Sequence, residues 1–205
     1  MRRVIIILSG LLFIAPAGSQ NGDKSLKYFN KTEAGFAFGI GHFNTDKVDG
    51  VQKEIRNDQM VISLQNINGF LYQQQFGIGI GIGAEFWQKG LFFPVFAQIS
   101  YALKPRDNTF FGSLNLGYNF GEREETSFYN KGTGALMVNV GLGYRMRVAK
   151  HILFNYEVFY KYQAIMSTYT SYISDDSTSQ LTPVQVLDYK VPLHFLGFRI
   201  GITVP

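Results

Sequence analysis

The chain has 205 residues, no cysteine, 22 glycines, 16% aromatic residues and only 17% charged residues, with a formal net charge of +4. That length suits one domain, and the lack of cysteine excludes disulfides, thiolate metal sites, a cysteine nucleophile and a lipid-modified N-terminal cysteine. So small and scattered a charge, +2 once Arg2 and Arg3 are set aside, argues against a nucleic-acid partner.

Met1, Arg2 and Arg3 precede an apolar run from Val4 to Ile14 and the small residues Ala15 to Ser19. This is the outline of a secretory signal peptide over residues 1–19. The run is well short of the roughly 20 residues that a spanning helix needs. Nothing later in the chain is long and apolar enough to replace it, which excludes a helical membrane bundle. Residues 20–30 read as a polar periplasmic lead-in, and residues 31–205 as a single barrel domain.

From Glu33 onward the dominant period is two, the period of β-structure. Phe36, Phe38 and Ile40 alternate with glycine and alanine up to Phe43. A polar loop, 44–58, leads to a second strand from Gln59 to Tyr72, whose phase blurs between Asn66 and Phe70 and suggests a bulge. Gln73 to Gln75 turns the chain into Phe76–Trp87, FGIGIGIGAEFW, where isoleucines face one side and glycines the other. Further strands are expected at 91–101, 109–120, 134–146, from 152 onward, and at 190–204. The stretch from Ile152 to Ile173 is about twice a bilayer crossing. With Val184 to Tyr189 returning, it is expected to form a hairpin protruding some 30 Å, at about 3.3 Å per residue. Its edge could accept a partner's strand.

Volume decides which face is inside. The apolar faces carry roughly 40 large side chains, and an eight-stranded barrel has an interior only just wide enough to be filled by side chains. The apolar faces must therefore meet lipid, and the small and polar faces the lumen. Mean hydropathy near zero is what this alternation yields. A soluble lipocalin-like barrel would need the opposite assignment. The expected fold is an all-β, transmembrane, antiparallel up-and-down barrel of about eight strands, in the outer membrane of a Gram-negative cell.

Glu85, Arg145, Glu157, Lys161 and Arg199 lie on the sparse face, with Glu157 and Arg199 at similar height. They are expected to form a lumenal ion-pair network that plugs the barrel rather than an ion path. Phe86, Trp87, Phe92, Phe93, Tyr118, Phe120, Tyr144, Tyr160 and Tyr162 are expected to form aromatic girdles at the membrane rims. Gly79 to Ala84 matches a dinucleotide fingerprint, but the alternation runs straight through it, without the helix that motif needs. His42, His151 and His194 are too scattered for a metal site. His42 and His194 approach the extracellular rim, which raises a membrane-facing lipid hydrolase as an alternative. No Ser or Asp stands at a convincing spacing beside either, so no enzyme activity and no cofactor are expected.

In its leader, strand count, long external loops and aromatic rims the chain resembles the small outer-membrane β-barrel family, typified by the transmembrane domain of outer membrane protein A and by outer membrane protein X. Asn155 to Gln163, NYEVFYKYQ, resembles the style of Bacteroidota barrels. Unlike most such barrels, the chain ends in Val204-Pro205 rather than an aromatic residue. The resemblance implies a structural or surface-interaction role, with small-solute transport as the alternative. It implies membrane lipid, lipopolysaccharide and the barrel-insertion machinery as partners, and contacts at loops 44–58, 121–133 and 166–189.

Overall fold

The computed structural model describes residues 26–44, 54–88, 90–105, 108–123, 131–174 and 181–205. The proposed leader, most of the lead-in, the centre of loop 44–58 and the tips of the loops around 124–130 and 175–180 lie outside the described residues. Eight strands close a barrel: β1 (Leu26–Ile40), β4 (Met60–Tyr72), β5 (Phe76–Trp87), β6 (Gly90–Ala102), β7 (Thr109–Arg123), β8 (Lys131–Ala149), β9 (Ile152–Ser174) and β10 (Leu181–Val204). Every neighbour is antiparallel, and β10 closes on β1. Two short strands, β2 (His42–Asn44) and β3 (Glu54–Arg56), pair with each other at the long-loop end.

β1 begins earlier than the alternation suggests. Leu26 to Asn30, expected in the lead-in, pair with Tyr72 to Asn68 of β4. The predicted bulge in β4 is also absent, since its pairing with β1 and β5 runs without a shift. The blur has another cause. Asn66 and Asn68 occupy outward positions and Ile67 an inward one, so polarity inverts while the pleat continues.

Tracing paired residues from Asn30 through Asn68, Ile80, Ala97, Leu116, Val138, Tyr162 and His194 returns to Ile40, ten residues along β1. That offset is the shear of the barrel, and it obliges the strands to tilt. The outward face is predominantly apolar around the circumference, including Ile62, Ile80, Val95, Leu116, Leu142 and Ile202, with an interruption at Asn30, Asn66 and Asn68. The β9–β10 ribbon pairs up to Ser174 and Leu181, whereas β8 reaches β9 only to Thr168 and β1 reaches β10 only to His194. The expected protruding hairpin is therefore present, with its return strand starting at Leu181 rather than Val184 and running unbroken into the last strand of the wall.

The inward glycines are sockets. Phe96 on β6 stands between Gly81 on β5 and Gly117 on β7, and Phe159 on β9 between Gly141 on β8 and Gly197 on β10. A Cβ on Gly81 would collide with the Phe96 ring, and one on Gly197 would lie 2.5 Å from Phe159 Cζ. The Phe96 ring spreads over the bare backbone of Gly81 and the Phe159 ring over that of Gly197. The same-face glycines of FGIGIGIGAEFW thus admit large groups from other strands into a narrow interior.

Candidate functional site: the lumen

The strand parity carries all five predicted charges inward, and each is buried. Glu157 and Arg199 are cross-strand partners, with Arg199 Nη2 2.5 Å from Glu157 Oε1. Ser113 on β7 donates its hydroxyl to the same carboxylate oxygen. Two residues absent from the predicted set join them. Glu33 Oε2 lies 3.6 Å from Arg199 Nε, and Lys31 Nζ lies 3.0 Å from Glu33 Oε1. The parity of β1 already aims Lys31 and Glu33 inward. Placing the strand start at Glu33 hid them at its edge.

A second cluster lies nearer the long-loop end. Lys161 Nζ sits 2.5 Å from both carboxylate oxygens of Glu85. Asn119 Nδ2 donates to Glu85 at 2.7 Å and to Gln163 Oε1 at 3.1 Å, and the indole N–H of Trp87 donates to Glu85 at 3.4 Å. The ammonium of Lys161 also faces the rings of Trp87 and Phe195, at 5.7 and 6.0 Å from their centroids. Arg145 lies at the short-turn end, donating to the backbone carbonyl of Gln74 at 3.0 Å. Glu157 with Arg199 and Glu85 with Lys161 thus fall into two ion-pair clusters, and Arg145 lies nearer the mouth.

The aromatic girdle needs correction at two positions. Trp87 and Phe92 are not at the lipid rim. They are 6% and 0% exposed inside the barrel, with ring centroids 5.1 Å apart, and Trp87 meets Phe195 at the same distance. The pleat explains this: Phe86 and Phe93 take the outward positions beside them, leaving Trp87 and Phe92 the inward ones. Phe86, Phe93, Tyr118, Phe120 and Tyr160 are exposed on the outer face, and Tyr144 and Tyr162 are half-buried. With Phe159, Ile165, Val191, Leu193 and Phe195, the two inward aromatics form an apolar cluster, and Phe43 of β2 packs against it. Phe29, Ile67, Leu71, Phe96 and Met137 form another. The interior is therefore much more aromatic than the expected glycine, serine and asparagine lining.

No family model matches the chain, and no curated protein is significantly similar to it in sequence. Solved structures do share its fold. The outer membrane protein OprG from Pseudomonas aeruginosa aligns with a TM-score of 0.57 at 13% identity, over 88% of this chain and 97% of that one. The outer membrane protein AlkL, determined by solid-state NMR in DMPC lipid bilayers, aligns at 0.52 and 12% identity, over 93% and 94%. The fold is that of an outer-membrane β-barrel. At such identities the likeness is one of fold alone.

The histidines have separate surroundings. His194 accepts or donates at 2.5 Å to the Tyr160 hydroxyl, on the outer face. His42 lies in β2, 3.9 Å from Glu54 of β3. His151 is exposed in the turn between β8 and β9. Gly79 to Ala84 lie inside β5 as continuous strand, so the dinucleotide motif has no structural context. At the short-turn end a recess of about 420 Å³, open solvent included, is lined by Phe29, Lys31, Leu71, Gln98, Phe111 and Arg145 among others.

Proposed function

We propose that this chain is an exported, integral outer-membrane protein whose lumen is plugged and which acts structurally or through its long-loop end, without enzymatic activity. The observation that carries the reading is the stack of buried contacts along the lumen. Arg199–Glu157–Ser113 and Lys31–Glu33 span it at one level. Lys161–Glu85–Asn119 span it nearer the long-loop end, and Trp87, Phe92 and Phe195 pack beside that second group. Buried ion pairs such as these are stable only while both members remain partnered, so the arrangement favours a fixed interior over a water-filled channel. The residues 1–19 supply the export signal in this reading, the short-turn end faces the periplasm, and the kinship is with the outer membrane protein A and X type of barrel, in the Bacteroidota style. Lipid, lipopolysaccharide and the insertion machinery are its partners in the envelope, and the long loops offer contacts outside it.

The recess at the short-turn end supports a second reading, a narrow path for a small solute. It leads inward as far as the Lys31 side chain, which pairs with Glu33. Planar-bilayer recording from purified protein separates the two. The plugged barrel gives no sustained conductance in the wild type. Steady wild-type openings would establish the second reading and defeat the first.

A further inference from the structure

Asn66 and Asn68 lie on the outward face of β4, opposite Thr32 and Asn30 of β1. Together with Tyr28 they form one hydrogen-bonded island. Asn30 Nδ2 donates to Asn66 Oδ1 at 3.2 Å and to Asn68 Oδ1 at 2.8 Å. Asn66 Nδ2 donates to Asn30 Oδ1 at 3.2 Å and to Thr32 Oγ1 at 2.9 Å. Asn68 Nδ2 donates to Asn66 Oδ1 at 2.8 Å, and the Tyr28 hydroxyl to Asn68 Oδ1 at 2.5 Å.

The island sits within the lipid-facing belt. Outward Phe70 and Tyr72 lie toward the short turn, Leu64 and Ile62 toward the long loops, Ile80 on β5 and Ile202 on β10. Asn68 and Asn66 stand four and six residues above the end of β4 at Tyr72. A strand rising 3.3 Å per residue and tilted 35–45° climbs about 2.5 Å per residue, which puts them roughly 10–15 Å into a belt about 25 Å tall. Hydrocarbon offers amides no partner, so each unmet group there is expensive. The six bonds use both N–H groups of Asn30 and of Asn66, but one of the two on Asn68, and none uses the Thr32 hydroxyl hydrogen.

We propose that this island is the centre of an in-membrane contact between two copies of the chain, the β1–β4 face of one against the β1–β4 face of the other. The proposal rests on the barrel spanning a bilayer and not on whether its lumen is plugged. A second copy is the occupant because side-chain amides donate and accept alike. A patch built from three of them answers itself across a two-fold axis, the symmetry of most homodimers. No acidic or basic residue occupies the outward positions of β1 from Tyr28 to Ile40 or of β4 from Met60 to Tyr72, so a partner recognised by charge finds nothing to pair with. Between surfaces already immersed in lipid there is no hydrophobic gain on association, and polar contacts and close packing supply the attraction.

The chain has no cysteine, so one introduced thiol is unambiguous. Ile80→Cys places it beside Asn68, and Leu142→Cys places it on β8, across the barrel; the native side chains are 67% and 74% exposed. Each variant is oxidised in phosphatidylcholine vesicles and in intact cell envelopes. Ile80→Cys is expected to give an adduct of twice the chain's mass, at least ten-fold more abundant than Leu142→Cys gives. Adding Asn30→Leu, Asn66→Leu and Asn68→Leu should bring it down to the Leu142→Cys level while the barrel keeps its folded gel mobility. If the triple leucine background does not fold, sedimentation of Ile80→Trp, a wedge at the rim of the island, must show monomer where wild type shows dimer. Equal cross-linking at both sites, cross-linking indifferent to the leucines, dimer surviving Ile80→Trp, or an envelope adduct of a different mass would each overturn the proposal.

Discussion

Gly81→Ala is a one-carbon change with a sign that the lumen dictates. In an ordinary strand the change stabilises by about 0.4–1 kcal/mol, because the unfolded chain loses freedom. At Gly81 the added Cβ would lie 2.9 Å from Phe96 Cε1 and closer still to Cζ and Cε2. The ring has little room to swing away, since Phe29, Ile67, Leu71 and Met137 cluster with it in the lumen. Overpacking of this kind costs about 1–3 kcal/mol, so the net effect should be destabilising by about 1–2 kcal/mol. Gly112 on β7 supplies the control. Its nearest neighbours would be 3.8 Å from a new Cβ, so Gly112→Ala should be neutral or stabilising by about 0.5 kcal/mol. Urea unfolding in lipid vesicles, followed by the fluorescence of the sole tryptophan, compares the two midpoints. Equal shifts for both variants, or a more stable Gly81→Ala, would refute the socket argument. Adding Phe96→Leu to Gly81→Ala should recover part of the loss if the clash is its source.

Other expectations follow from the same contacts. Glu157→Gln should lower stability by about 2–4 kcal/mol, less than the 3–5 kcal/mol typical of an uncompensated buried partner, because Glu33 also faces Arg199 at 3.6 Å. Arg199→Gln should cost more in the same urea assay, since it leaves Glu157 and Glu33 with Lys31 as their nearest remaining cation. Trp87 emission should be blue-shifted and indifferent to brominated lipids, whereas bimane on Ile80→Cys should be strongly quenched by them; a Trp87 quenched by lipid would put it back in the girdle. Gln73 and Gln74 turn the β4–β5 hairpin at φ of 50° and 58°, a conformation suited to Asn-Gly. Gln74→Gly should therefore raise the urea midpoint, by about 0.5–1 kcal/mol in stability. Deleting Thr168 to Val186 should leave heat-modifiable gel migration intact; failure of that variant to insert would make the ribbon part of the barrel.

Period-two alternation made the barrel legible because sheet parity is unforgiving: one residue's slip moves every side chain to the other face. That same rule correctly aimed Glu85, Arg145, Glu157, Lys161 and Arg199 inward, and paired Glu157 with Arg199. It was weakest where residue type and face disagree. Trp87 and Phe92 look like rim aromatics by composition, yet parity with Phe86 and Phe93 sends them inside. Asn66 and Asn68 look like a bulge, yet parity keeps them in the lipid face. Lys31 and Glu33 escaped because a strand start has little alternation before it to fix its phase. Which groups pair was not legible either, since Lys161 reaches Glu85 across sequence positions 76 apart, and only the shear brings them to one height.

The union of β1 with β10 joins residues 30–40 to residues 194–204, the two ends of the domain. Every other strand pair in the wall can form from near neighbours in the chain, while this one must wait until the last strand has been made. Until then the growing sheet carries two raw margins of backbone N–H and C=O groups, a template for mispairing with any other extended chain. A newly made copy is therefore most open to mispairing in the interval before the final strand docks.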